Sequence, residues 1–468
     1  MRVVPRSALV VGVCAGSLAS WVPGASALPP LSNAPVSPSG ATCRAYEVPT
    51  TPLASDPTAK AEIWAQLCTR DADRLGSQPL IVLLHGGGYD HHYWDWPYRP
   101  DRYSYVYAAT KAGYATLNLD RLGYGQSTRP PATDLDFRNG ADAVHQVVQA
   151  ARSGAFGPSF AKIVLNGHSM GGAVARREAA TYHDVDALIM SGVAHNQSAE
   201  SVAKVTTSGE PAQADPKFAG VPLGYFTTQP GTRTTFHHPG DVESEILATD
   251  EQYKDTAGAL EQRDVTNDSY DRELSLAVKA PVFFALARYD ALWCTTTNDC
   301  ATDPNFTQES TWYAPGTSFT SFLVPNAGHS LTLDTGGAAF AQRSLSWLRE
   351  IGLAGSHTGE AAQSAVPRLR ILTSRVRADR RGRFSIRVSC VGPGTCRARA
   401  VVRRGATTLA NRQLCVGEGK VSMLRVRADA VLRRTLSHGR TAAVRLRLST
   451  GRSGSERQVA VLSPRRRP

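Results

Sequence analysis

Gly167-His168-Ser169-Met170-Gly171 spells G-x-S-x-G, a serine flanked two residues away on each side by glycine. The pentapeptide closely follows the apolar run Ile163–Leu165 and precedes a stretch of helical spacing from Gly171, so it reads as a tight strand-to-helix turn. Such a turn strains the backbone and leaves no room for neighbouring side chains, while it lifts the serine hydroxyl clear. The helix that follows presents its unpaired N-terminal amides, and the positive end of its dipole, to any oxyanion forming beside the serine. A second glycine cluster, His85-Gly86-Gly87-Gly88, closes the run Leu80–Leu84. Its glycines let backbone N–H groups approach a substrate oxygen, which makes Gly87 and Met170 the expected oxyanion donors. Asp120, in Asp120-Arg-Leu-Gly-Tyr-Gly-Gln-Ser127, closes the next run and reads as a turn residue supporting the site rather than a catalytic acid.

These residues sit at the ends of short apolar runs: Pro79–Leu84, Ala115–Leu119, Lys162–Leu165, Ala187–Met190, Pro281–Leu286 and Ser321–Val324. Helical spacing fills Tyr105–Ala112, Asp136–Arg152, Gly171–Tyr182 and Gly337–Ile351. Wholly apolar strands alternating with helices imply a mostly parallel sheet covered on both faces, the α/β class. Such sheets place their sites at the strand C-termini. Two further strand-like runs, Cys43–Pro49 and Glu62–Thr69, precede the alternation. The stretch from about 195 to 272 breaks the rhythm, being rich in Thr, Gln, Gly, Pro and acids. It reads as a long irregular insertion, as a cap over the site, or as both at once.

The glycine-serine turn, the HGGG loop and their order resemble the α/β-hydrolase superfamily of serine esterases and lipases, over roughly Pro79 to Ile351. The resemblance implies that the acid follows the strand after the cap and that the histidine follows the last strand. Those positions are Asp290 and His329 here, in the order Ser…Asp…His. Asp299 and Asp303 are rival acids within or beside the unusual Cys294–Cys300 loop. The implied chemistry is acyl transfer without cofactor or metal: His329 takes the Ser169 proton, Asp290 orients the imidazole, and an acyl-enzyme forms and is hydrolysed. A carboxylic ester is the expected substrate, and an amide or peptide is the alternative on the same triad. Serine at 169 argues against dehalogenase and epoxide-hydrolase relatives, which carry aspartate there.

Aromatic residues Tyr93, Trp94 and Trp96 follow the HGGG loop and are expected to serve partly as core and partly as pocket wall. The adjacent pairs His91-His92 and His237-His238 read as solvated loop residues rather than metal ligands.

Bulk features divide the 468 residues further. From Ala365 onward 26 Lys and Arg stand against 4 acids, leaving 26 basic against 36 acidic groups before that point. An acidic body therefore carries a basic tail, almost all arginine. In the tail, period-two alternation with turn residues predicts about seven short strands in a β-sandwich-like domain. The expected organisation is a signal peptide at 1–27, a catalytic domain at 28–353 with its cap, a linker at 354–365 and the basic domain at 366–468. Arg2 and Arg6, the apolar Ala8–Val22 and the A-x-A site Ala25–Ala27 make the export signal, so the protein is expected to be secreted and without a transmembrane segment. The basic domain could bind an anionic cell-wall polymer, which sets up a reading of a different class: a surface-binding protein with a secondary hydrolase core. Few aromatics argue against nucleic acid.

Export makes disulfides the natural state of the cysteines. Pairing Thr50 with Ala61 in an antiparallel hairpin sets Cys43 opposite Cys68, within disulfide reach. Cys294 and Cys300 should form a local bridge. Among Cys390, Cys396 and Cys415 two pairings compete. Cys390–Cys396 closes a short loop around Gly392-Pro-Gly394, and a hairpin turning at Gly405-Ala406 would set Cys396 opposite Cys415; the short loop is preferred.

Overall fold

The structure is a computed structural model that describes residues 27–32, 36–52, 58–269, 271–294, 300–301, 303 and 306–355, then 368–371, 373, 375–379, 381–391, 396–416, 421–438, 441–450 and 453–463. The signal segment, apart from Ala27, and most of the expected linker lie outside the described residues. The chain divides into two compact units, Met1–Ser356 and His357–Pro468.

The first unit is built on eight strands: β1 (Thr42–Thr50), β2 (Ala61–Thr69), β3 (Leu80–Leu84), β4 (Ala115–Leu119), β5 (Ile163–His168) and β6 (Ala187–Ser191), then, after three short cap strands, β7 (Gly209–Pro211), β8 (Tyr225–Thr228) and β9 (Ala257–Gly258), the last pair β10 (Val282–Ala287) and β11 (Phe319–Val324). The main sheet runs β1-β2-β4-β3-β5-β6-β10-β11. From β4 to β11 every pairing is parallel, and only β1 and β2 run against their neighbours. Alternation inside β3 shows why its run is apolar throughout. Leu80, Val82 and Leu84 enter one core cluster, and Ile81 and Leu83 enter the other.

Helices α1 (Tyr105–Lys111), α2 (Phe137–Ser153) and α3 (Met170–Tyr182) fall where their periodicity placed them. Asp136 caps α2 by accepting from Asn139 N–H, and Gly154 ends it in the left-handed conformation. In the insertion, α4 (Ala199–Ser208), α5 (Ser244–Tyr253) and α6 (Ala259–Asp268) surround the antiparallel sheet β7-β8-β9, so this stretch is an ordered cap and not an irregular excursion. Helix α7 (Gly337–Glu350) closes the unit. Three arginines of the body grip three acids of the cap: Arg121–Glu261 at 2.6 Å, Arg129–Asp255 at 2.7 Å and Arg177–Asp268 at 2.6 Å.

Cys43 pairs directly opposite Cys68, with Cα atoms 4.1 Å apart, and Thr50 pairs with Ala61, so the hairpin register is the expected one. Cys294 and Cys300 are also bridged.

The second unit stacks a three-stranded sheet, β12 (Arg368–Ile371), β14 (Arg383–Val391) and β17 (Val421–Arg427), on a five-stranded one. The latter holds β13 (Arg375–Arg377), β15 (Cys396–Arg404), β16 (Thr407–Val416), β18 (Ala442–Thr450) and β19 (Ser453–Leu462). Phe384, Ile386 and Leu424 from one sheet share a core with Ala400, Val402 and Leu446 from the other, as a sandwich requires. The β15–β16 hairpin does turn at Gly405-Ala406, but a bulge at the Val402/Arg403 step shifts the register by one residue. Arg397, not Cys396, therefore faces Cys415, and Cys415 is a free, exposed thiol. The side chains of Cys390 and Cys396 lie outside the described residues.

Candidate active site

Ser169 stands between β5 and α3 with φ 52° and ψ −123°, a conformation that a residue with a side chain holds only when its surroundings enforce it. Its N–H donates to Ser191 O at 2.7 Å, which ties the turn to β6. The two glycines of the pentapeptide are steric necessities. A Cβ on Gly167 would sit 2.3 Å from Gly171 O, and one on Gly171 would sit 2.3 Å from Leu84 O and His85 O. With no side chains there, α3 can cross the end of β3, and its first amide, on Met170, opens beside the serine. Gly87 packs against the same point, since a Cβ there would fall 2.5 Å from Met170 Sδ.

His329 lies five residues past the end of β11, and Asp290 lies three past the end of β10. Because those strands are parallel neighbours, both residues emerge at the strand C-termini on the same side as Ser169. His329 Nε2 is 3.0 Å from Ser169 Oγ, and its Nδ1 is 3.0 and 3.1 Å from the two Asp290 oxygens. Asp290 is fully buried and also accepts from Leu292 N–H at 3.0 Å. An imidazole held this way can receive the hydroxyl proton on one nitrogen while a carboxylate steadies the proton on the other. Of the rival acids, Asp303 is spent on the helix start at Thr307, and Asp299 lies outside the described residues.

The sequence profile of the Alpha/beta hydrolase family matches residues 81–343, which is more than half of the chain and includes all three of these residues. The chain belongs to this family. In Bacillus subtilis strain 168, the AB hydrolase superfamily protein YisY is 32% identical over 123 residues, which span 26% of this hydrolase and 40% of that protein. Among solved structures, a putative aryl esterase from Burkholderia cenocepacia is similar at 16% identity and a TM-score of 0.43, over 66% of this chain and 98% of that one. A meta-cleavage product hydrolase from Pseudomonas fluorescens is similar at 14% identity and a TM-score of 0.43, over 62% of this chain and 96% of that one.

Over Ser169 the hydrolase has a partly open cavity of about 70 Å³. Its floor is formed by Gly87, Met170 and His329, its roof by the cap residues Val205, Phe226, Ala257 and Val265, and its side by Leu292 and Trp293 after the acid. Tyr93, Trp94 and Trp96 are not in its wall. The single turn His91–Tyr93, capped by Asp90, folds the three rings under the sheet into the second core cluster, where none is exposed. Tyr89, four residues earlier, lines the pocket instead, a difference of one turn that chain proximity alone does not reveal.

The paired histidines divide: His92 and His238 are part-exposed, whereas His91 and His237 are buried. Asp120 accepts from both the backbone N–H and Nδ1 of His91, at 2.8 Å each. Burial opposes charge on His91, yet Asp120 prevails and holds its pKa at about 9. His237 of the cap lies between two carboxylates, with Nδ1 2.7 Å from Asp334 and Nε2 3.2 Å from Asp250. There too burial opposes the charge, and the two acids together raise the pKa to about 9. Asp250 takes Arg233 in a two-pronged contact at 2.8 Å, and Arg233 also reaches Gly88 O at 3.2 Å. Asp334 accepts from Gly328 N–H at 2.6 Å, beside His329. One buried ionic chain thus links the cap to both the glycine loop and the histidine loop. By contrast His168, packed 4.9 Å from the His329 ring, is held neutral by burial and by that neighbour.

Proposed function

We propose that the protein is an exported serine hydrolase that cleaves carboxylic esters bearing a small acyl group. The observation that carries the reading is the unbroken Ser169–His329–Asp290 hydrogen-bond series at the floor of a capped apolar cavity. Ser169 Oγ attacks the acyl carbon as its proton passes to His329 Nε2. The carbonyl oxygen, now negative, is met by the N–H groups of Gly87 and Met170. The alkoxide leaves with the proton from His329, and a water deprotonated by the same nitrogen releases the acid and restores the serine. Asp290 keeps the Nδ1 proton in place throughout. The size of the cavity supports the small acyl group, being far below the roughly 300–1,000 Å³ of pockets that hold drug-sized ligands. Two disulfides support export, and among the described residues no helix is long and apolar enough to cross a membrane.

A panel of p-nitrophenyl esters of rising chain length, run beside aminoacyl nitroanilides, tests the reading. It predicts kcat/KM highest on the shortest esters and negligible on the anilides, with all activity lost in Ser169→Ala. Higher kcat/KM on the anilides would favour the peptidase reading instead.

A second role is favoured by one observation in the basic unit. Arg403 and Arg445 sit directly opposite on neighbouring strands, and Arg399 and Arg447 flank them. All four are exposed. Like charges so paired repel, and a polyanion laid across the face relieves that cost. An anionic cell-wall polymer fits this face. Retention on a polyanionic resin should fall in Arg403→Ser/Arg445→Ser, and unchanged retention would count against this role.

A further inference from the structure

Helices α2 and α3 pack side by side, and near the C-terminal end of α3 they bring together His145, Glu178 and Asp184, all within one ligand shell. One candidate ligand atom from each lies within 4.8 Å of the other two. Glu178 is completely buried, and no donor reaches either of its carboxylate oxygens, which face Asp184; Asp184 Oδ1 is likewise buried and receives no donor. Buried acceptors without donors are expensive to leave in a folded protein. The nearest cation does not serve them. Arg152 is spent on Asp184 O, Ala161 O and Asp186.

The rest of the cluster is held ready. The His145 ring stacks on Tyr182 with centroids 3.7 Å apart, and its Nδ1 meets Asp184 Oδ2 at 2.8 Å. Gln149 Nε2 donates to the same oxygen at 2.6 Å. His145 and Asp184 are part-exposed, which leaves an entry path to the buried Glu178. The end of α3 adds the negative pole of its dipole, where a positive charge is favoured. One imidazole with two carboxylates suits zinc or manganese better than calcium, which prefers oxygen alone.

We propose that His145, Glu178 and Asp184 form a structural divalent-cation site that pins α3, the helix opened by the nucleophile, to α2. Binding displaces the Nδ1–Asp184 contact. Glu178 lies eight residues beyond Met170, roughly 12 Å along the helix, so the ion takes no part in chemistry at Ser169.

The test uses the full chain stripped with a chelator and titrated with zinc chloride, read by calorimetry and thermal unfolding. One ion per chain and a rise in Tm of a few degrees are expected, with weaker or no binding of calcium. His145→Ala and Glu178→Gln should each remove the response. The glutamine keeps the shape of the carboxyl, so the metal-free variant should unfold near the wild-type temperature. Both variants retain the free Cys415 and the Asp90–His91–His92 group, so a response that survives in them comes from elsewhere and overturns the site. No response in the wild type, or binding of calcium in preference to zinc, overturns it equally.

Discussion

Asp290 touches His329 through both carboxylate oxygens, so its loss should be felt through the tautomer it enforces. Asp290→Asn keeps the shape but presents an amide, and kcat on a short ester should fall about 10⁴-fold with little change in KM. A fall of less than tenfold, measured at saturating substrate, would mean another group orients His329. His237 makes a prediction about stability. Its pKa stands near 9 in the folded protein against an ordinary value of about 6.5. The bonded proton therefore stabilises the fold fully below about pH 6.5, and that contribution is lost as pH rises through about 9, a change of up to about 3 kcal/mol. His91 follows the same sign. Tm should drop across this window, and in His237→Gln it should start lower and drop less steeply; parallel curves would contradict the assignment. Ser169 and its glycines were legible in the sequence because sterics at a tight turn dictate residue types. The placing of Tyr93, Trp94 and Trp96 was not, because one short turn decides whether a ring faces the cavity or the core.

At the scale of elements, the β1–β2 hairpin shows what sequence spacing can specify. Its register brings two cysteines face to face at the sheet edge, with β4 and β3 standing between the hairpin and β5. Replacing both Cys43 and Cys68 with serine should lower stability by roughly 2–4 kcal/mol while leaving kcat intact, which denaturant unfolding and ester assays together would check. Unaltered stability would imply that the strands need no staple. The cap shows the opposite case. Its order rests on pairs such as Arg121–Glu261 and Arg129–Asp255, which join residues more than a hundred positions apart and leave no local periodicity to read. In the basic unit a single bulge moved Cys415 out of the register that alternation alone suggests.

At the scale of the whole molecule, the two compact units divide the work. Every residue around the cavity lies between Gly86 and His329, inside the first unit. A chain ending near Gly355 should therefore keep its kcat on a small soluble ester and, if the proposed polyanion role holds, lose salt-sensitive retention on a polyanionic resin. A truncated protein that folds but does not turn over would show that the basic unit shapes the site. The charge asymmetry that separates the units was plain in the sequence, because solvent-facing strand positions are free to vary and here are filled with arginine. The proposed role of Ser169 as nucleophile is tested by intact-mass analysis after treatment with a fluorophosphonate. One phosphonyl adduct per chain is expected, mapped to Ser169 and absent from Ser169→Ala. An adduct that persists in the mutant, or none on the folded wild-type protein, would contradict it.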